Sequence, residues 1–182
     1  MKDKIAVIYK SKYGTTKRYA GWIALKLQAD LYEVSDIRNK DLNEYDTIIY
    51  GGPLYLGKIK GINFIKRNYE KIKNKNIVIF IVGMISFNEE YIKAMLEKNY
   101  SEEMIKSTKS FYFRGDLNYN ELNTIDRVLM KGLKKSILSK DKDKLNEDDK
   151  MILKSFTEPM AFCDKKSIDD LIKSIDVRNT EV

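Results

Sequence analysis

A chain of 182 residues, 43% hydrophobic and 34% charged, has the length and composition of one ordinary domain with a buried core. Its formal charge of +7 admits anionic partners, but the lysines are spread along the whole chain and no nucleic-acid recognition motif appears. There is no histidine and only one cysteine, Cys163, which excludes Ser-His and Cys-His nucleophile pairs, histidine-ligated metals, an internal disulfide and a Cys-ligated cluster within one chain. Difficult chemistry is then expected from a bound cofactor. No apolar run approaches the ~18 residues that a membrane-crossing helix needs. Asp3 and Lys4, ahead of a short apolar run, do not form a signal peptide, so a cytoplasmic location is expected.

In chain order, residues 4–9 read as a buried strand, and Ala20, Ile23, Ala24 and Leu27 mark a helix over 15–29. Residues 31–34 and 45–50 read as strands, the second ended by Gly51-Gly52-Pro53. Ile62, Ile65, Tyr69 and Ile72 mark a second helix, and "IVIFIV" at 77–82 is the most strand-like run in the chain. A third helix is marked by Tyr91, Ala94 and Met95, and "SFYFR" at 110–114 is a further strand. Leu122, Ile125, Leu129, Leu133 and Ile137 form a helical stripe, with Lys131, Lys134 and Lys135 largely away from it. A charged linker is expected at 139–150 and a last helix at 166–176.

Strands alternating with helices imply a parallel sheet, and right-handed crossovers place helices on both faces. Unalternating apolar runs such as 77–82 fit strands covered on both sides. Five strands and about five helices predict a flavodoxin-like doubly wound α/β fold, strand order 2-1-3-4-5. The whole chain, 1–182, then forms a single domain with a helical insert and charged linker at about 116–150. Ligands in such a sheet bind beyond the carboxyl ends of the strands, which singles out loops 10–16, 51–60 and 83–90.

The first loop, "KSKYGTT", feeds a helix N-terminus, where unpaired N–H groups and the dipole favour an anion. Ser11, Thr15 and Thr16 add hydroxyls, and Gly14 permits close backbone approach. Thr15 or Thr16 acting as a helix cap is the plainer alternative, which accounts for one hydroxyl but not for three with a glycine. The pattern is neither the P-loop nor the dinucleotide fingerprint.

"SKYGTTKRYA" resembles the phosphate loop of the flavodoxin family, [ST]-x-[TY]-G-x-T. The resemblance implies FMN as cofactor, its phosphate held by Ser11, Lys12, Tyr13, Gly14, Thr15 and Thr16, with Tyr13 standing where short-chain members often carry threonine. It implies that the second loop, Pro53, Leu54, Tyr55, Leu56, Gly57 and Lys58, flanks the flavin ring, Gly57 lying at its N5 edge. Gly83, Met84, Ile85 and Ser86 would meet the ring's polar edge. Tyr55 packing on the protein in a wide turn is the alternative for the second loop.

Within that superfamily the chain is most similar to the menaquinone-dependent protoporphyrinogen oxidase branch, through "YLGKI", the long segment "RGDLNYNELNTIDRVLMKGLKK" and the basic balance. That likeness implies an oxidoreductase passing electrons from a reduced substrate to a quinone or other acceptor. It also implies peripheral contact with the inner face of a membrane through 116–140, where ordinary docking of an amphipathic helix is the alternative. The rival functions are a one-electron carrier shuttling between redox partners and a non-catalytic phosphate-ligand-binding domain. Catalytic side chains are not singled out, and no metal site is expected.

Overall fold

The computed structural model describes residues 3–37 and 42–176. Its sheet holds strands β1 (Ile5–Tyr9), β2 (Asp30–Glu33), β3 (Thr47–Tyr55), β5 (Asn76–Gly83) and β6 (Thr108–Arg114), all parallel, in the order β2-β1-β3-β5-β6. Counting these five alone, the order is the expected 2-1-3-4-5. A two-residue strand, β4 (Lys58–Ile59), pairs antiparallel with the end of β3 and lies in what reads in sequence as a loop. The helices are α1 (Thr15–Leu27), α2 (Asn63–Ile72), α3 (Glu89–Asn99), α4 (Glu102–Ser107), α5 (Thr124–Leu138), α6 (Glu147–Lys154) and α7 (Asp169–Asp176).

The chain divides into two compact units. The first comprises Met1–Gly83, Phe87–Arg114 and Cys163–Val182, and contains the sheet. Alternate strand residues feed two cores, as a strand's period of two dictates. One face buries Ile8, Ile48, Tyr50, Ile79 and Ile81 beside Ile65 and Ile72 of α2 and Met95 of α3. The other buries Val7, Ile49, Val78 and Phe80 beside Tyr19 and Ile23 of α1 and Leu171 and Ile175 of α7. Tyr19 joins elements on that second face: its hydroxyl donates to the Arg114 carbonyl at 2.9 Å, and its ring stacks on Phe113 and meets Trp22 edge-on. Trp22 is thus a packing residue.

The second unit comprises Met84–Ser86 and Gly115–Phe162. Leu117, Leu122, Met130, Ile137 and Ile152 form its core. The charged stretch expected as a linker at 139–150 contains a 3-10 turn, Lys142–Lys144, and the start of α6. Its acids serve the helix. Asn146 and Asp149 form a reciprocal capping box, Glu147 and Asp148 sit in the positive first turn, and Lys140 donates to both oxygens of Asp149. Among the described residues no helix is long and apolar enough to cross a membrane.

Gly51 and Gly52 do not end β3, which runs on through Pro53 to Tyr55. They are glycines because neighbours press on the strand. A Cβ on Gly51 would lie 1.9 Å from Phe80 Cζ, and one on Gly52 2.6 Å from the Lys60 carbonyl. Gly51 faces β1, since its carbonyl accepts the Lys10 N–H, and residues two apart share an edge. Pro53 therefore points its missing N–H to that same edge past the end of β1, where Lys60 returns opposite it: the Lys60 N–H donates to the Pro53 carbonyl at 3.0 Å, and the Lys60 carbonyl, which Pro53 cannot serve, accepts the Tyr50 hydroxyl instead. Replacing Gly51 by alanine is expected to lower stability by about 2 kcal/mol through overpacking against the Phe80 ring. Urea unfolding should show Phe80→Leu partly restoring the Gly51→Ala variant while destabilising the wild type.

Candidate functional site

The first loop closes on itself through one side chain. Ser11 Oγ accepts the Gly14 N–H at 3.1 Å, and the Gly14 carbonyl accepts the Arg18 N–H at 2.9 Å, which starts the helical ladder. Gly14 sits at φ +90°, a left-handed conformation that glycine alone adopts without strain. It is also the N-cap of α1, and no side chain caps the helix there. Neither threonine is a cap: Thr15 and Thr16 lie inside the first turn and are buried, Thr16 to 2% exposure. The N–H groups and positive end of a 13-residue helix thus meet the loop uncovered by any N-cap side chain. Nothing lies within 4 Å of the place a Gly14 Cβ would take, so the space over the turn is open.

The second loop is a hairpin. Leu54 pairs with Ile59 and Tyr55 with Lys58, leaving Leu56 and Gly57 as a two-residue turn with φ of 51° and 71°. Both positive values are those of the type I′ turn, whose twist matches the flanking strands. Glycine is at ease there; Leu56 is not, and its side chain stands 69% exposed at the tip. Three features hold the hairpin. The Tyr50 hydroxyl donates to the Lys60 carbonyl at 2.6 Å, and burial pushes that phenol well above its ordinary value, keeping the proton on the donor. Gly61, at φ +80°, lets the chain pass over Tyr50, whose hydroxyl oxygen would be 2.1 Å from a Cβ. Asn99, at the end of α3, accepts the Ile59 N–H and donates to the Gly57 carbonyl, both at 2.9 Å.

Cations bring the two loops together. Lys12 Nζ lies 4.2 Å and Lys60 Nζ 4.6 Å from the centre of the Tyr55 ring, and Lys12 Nζ is also 5.5 Å from that of Tyr13. Such contacts contribute roughly 0.5–1 kcal/mol each at exposed positions. Lys98 Nζ stands beside Gly57, 3.1 Å from where its Cβ would be. Lys10 pairs with Glu33 at 2.9 Å. The arrangement favours an anion.

Of the expected site residues, Ser11, Lys12, Tyr13, Gly14, Thr15 and Thr16 form one loop, and Lys12 links it to Tyr55. Pro53 and Leu54 lie within β3, where Leu54 packs against the core. Leu56, Gly57 and Lys58 form the hairpin's turn and return. Gly83 ends β5, where a Cβ would meet the Tyr112 hydroxyl at 2.2 Å. Met84, Ile85 and Ser86 fall in the second unit, where Ser86 donates through its N–H and its hydroxyl to Asp148, each at 2.9 Å. Tyr50, Lys60, Lys98 and Asn99 escape the sequence reading. For Asn99 a signal exists: it continues the buried stripe of Ile92 and Met95 on α3 as a polar residue.

A parallel sheet wound 2-1-3-4-5, with helices on both faces and an open glycine turn after its first strand, defines a doubly wound α/β protein with a flavodoxin-like fold. The profile of the family described as flavodoxin domain matches residues 6–145, and the chain belongs to that family. An uncharacterized protein of Methanocaldococcus jannaschii is 27% identical over 156 residues, covering 85% of this chain and 96% of that one. Among solved structures, the Trp repressor binding protein from Bacillus subtilis is 18% identical with a TM-score of 0.46, over 62% of this chain and 83% of its own. A flavoprotein in complex with FMN from Lactobacillus acidophilus is 19% identical with a TM-score of 0.43, over 62% and 92%. A flavodoxin from the domain Archaea is 18% identical with a TM-score of 0.43, over 61% and 84%.

Tyr50→Phe leaves the Lys60 carbonyl without its buried donor and is expected to cost about 1–2 kcal/mol in urea unfolding. Amide exchange at Lys60 and Gly61 should quicken, while the distant α7 amides keep their relative protection.

Proposed function

We propose that the first unit binds FMN and that the protein is an oxidoreductase passing electrons from a reduced substrate to a quinone or other acceptor, in the manner of the protoporphyrinogen oxidase branch. The observation that carries this reading is the Gly14 turn: an open, uncapped helix N-terminus at the carboxyl end of β1, next to a lysine-lined hairpin. Those residues fit a phosphate ester. Ser11 Oγ already holds the loop through Gly14 N–H, and its own O–H remains a donor. The backbone of residues 12–16 and Lys12 would take the phosphate, and Pro53, Leu54, Tyr55, Leu56, Gly57 and Lys58 would flank the ring, with Gly83 at the end of β5. The FMN site so drawn lies in the first unit alone.

FMN, when bound, would supply the electron-transfer chemistry that amino-acid side chains do not. The chain's share is position and field. Lys58 and Lys98 stand at the turn and favour the more negative, reduced form of a bound group. The exposed Leu56 keeps water from one side of whatever rests against the tip.

A second observation supports the peripheral membrane contact. On α5, Ile125 and Val128 are 70% and 64% exposed, one turn apart, and Leu129 continues the stripe. Lys131, Lys134 and Lys135 follow on the same helix, a composition that suits an anionic lipid surface.

Purified protein mixed with FMN should bind it in one-to-one ratio and show flavin absorption bands. Gly14→Val, forced to a positive φ, should weaken binding at least about tenfold. Folded protein that stays colourless with added FMN overturns the flavin reading, and flavin-loaded protein that never reduces a soluble quinone leaves the carrier role in its place. For the membrane, the protein should sediment with phosphatidylcholine vesicles containing phosphatidylglycerol. Ile125→Glu with Val128→Glu should abolish this, whereas sedimentation unchanged by that pair contradicts it.

A further inference from the structure

Asn99 ends α3 at 4% exposure, and both ends of its side-chain amide are engaged. Its Oδ1 accepts the Ile59 N–H at 2.9 Å; its Nδ2 donates to the Gly57 carbonyl at 2.9 Å and to the Met95 carbonyl at 2.8 Å. Gly57 and Ile59 are two apart, so they present their polar groups to the same, outer edge of β4. The side-chain amide thereby does for that edge what the backbone of a further strand would do, and its tie to Met95 fixes the amide in turn.

We propose that Asn99 is a positioning residue for the cofactor loop, locking the Leu56-Gly57 turn in one conformation in every oxidation state of the bound group, so that the site delivers electrons in pairs. The proposal rests on the FMN reading. A ligand or electron shifts a conformational equilibrium only by its differential interaction with the two conformations. A turn free to exchange hydrogen-bond partners could stabilise one oxidation state selectively. Here exchange is opposed from the side of α3, because turning the Gly57 carbonyl outward would strip a buried amide of one partner. Glycine makes the turn itself permissive, so the restraint has to come from outside the loop, and Asn99 is where it is applied.

Two variants divide the amide's functions. Asn99→Leu keeps the branched outline and removes all three bonds, two of them to the hairpin. Asn99→Asp keeps the shape and the acceptor for Ile59 N–H, but sets an oxygen against the Gly57 carbonyl. In ligand-free protein, Asn99→Leu should speed amide exchange at Ile59 by about tenfold or more, and Asn99→Asp should leave it near wild type. In FMN-loaded protein, Asn99→Leu, which removes the tie to Gly57 without adding charge, should widen the separation between the two one-electron potentials. A carboxylate at position 99 opposes the anionic, fully reduced flavin more than the uncharged one-electron form, so Asn99→Asp widens the separation by charge alone. Wild-type exchange at Ile59 in Asn99→Leu, or an unchanged separation in that variant, overturns the proposal. If the wild type takes up no FMN, the functional reading and the paired-electron role fall together, and Ile59 exchange alone decides whether Asn99 clamps the loop.

Discussion

The candidate site exists because β3 outruns β1. Pairing between them stops at Tyr9 and Gly51, and β3 continues four residues farther. From the end of β1 the chain turns into the first loop and α1; from the end of β3 it folds back as β4 along the edge that β1 has left. Two loops from adjacent strands thus emerge side by side, and Lys12 of one rests on Tyr55 of the other. The overrun needs backbone without side chains at two successive positions, one for each face of the sheet. Gly51 makes room for Phe80 in the core shared with α1, and Gly52 makes room for the returning Lys60 carbonyl. Pro53 follows, and the Lys60 carbonyl that its missing donor leaves unpaired is taken by the Tyr50 hydroxyl.

This explains what was legible in the sequence. The strands of 5–9 and 76–83 are short apolar runs between turn formers, and burial on both faces is written in their lack of alternation. Ser11 and Gly14 were legible as a loop because their chemistry is local: a hydroxyl meets an N–H three residues on. Gly51-Gly52-Pro53 misleads for the opposite reason. Locally the triplet reads as a stop, while its role is set by Phe80, far along the chain, and by a hairpin visible only once Leu56 and Gly57 are known to take positive φ. The acids at 147–149 misled by composition: a count of charges suggested a linker, although Asn146 with Asp149 spells a helix start. Asn99 shows in the sequence only as a polar residue on the buried stripe of α3; nothing in that helix says which edge its amide meets.

The two loops are built on contrasting terms. The first is held by one serine and a glycine, its helix end has no side-chain cap, and the space where a Gly14 Cβ would stand is open. The second is tied down by the buried amide of Asn99 and by the phenol of Tyr50, which burial keeps protonated. Backbone polar groups that leave the ladder of a sheet need partners, and here side chains from α3 and β3 supply them where a neighbouring strand would otherwise stand.

That contrast bears on what a site of this shape can discriminate. An open helix end with lysines beside it recognises charge, and recognition of charge is forgiving of the rest of the ligand. A hairpin fixed by buried hydrogen bonds recognises shape, because moving it strands polar atoms away from water. Affinity for an anionic group then comes from one loop and selectivity for what is attached to it from the other. Since Asn99 acts from α3, changes in the packing of that helix on the sheet, through Ile92 and Met95, reach the hairpin directly without any residue of the first loop taking part.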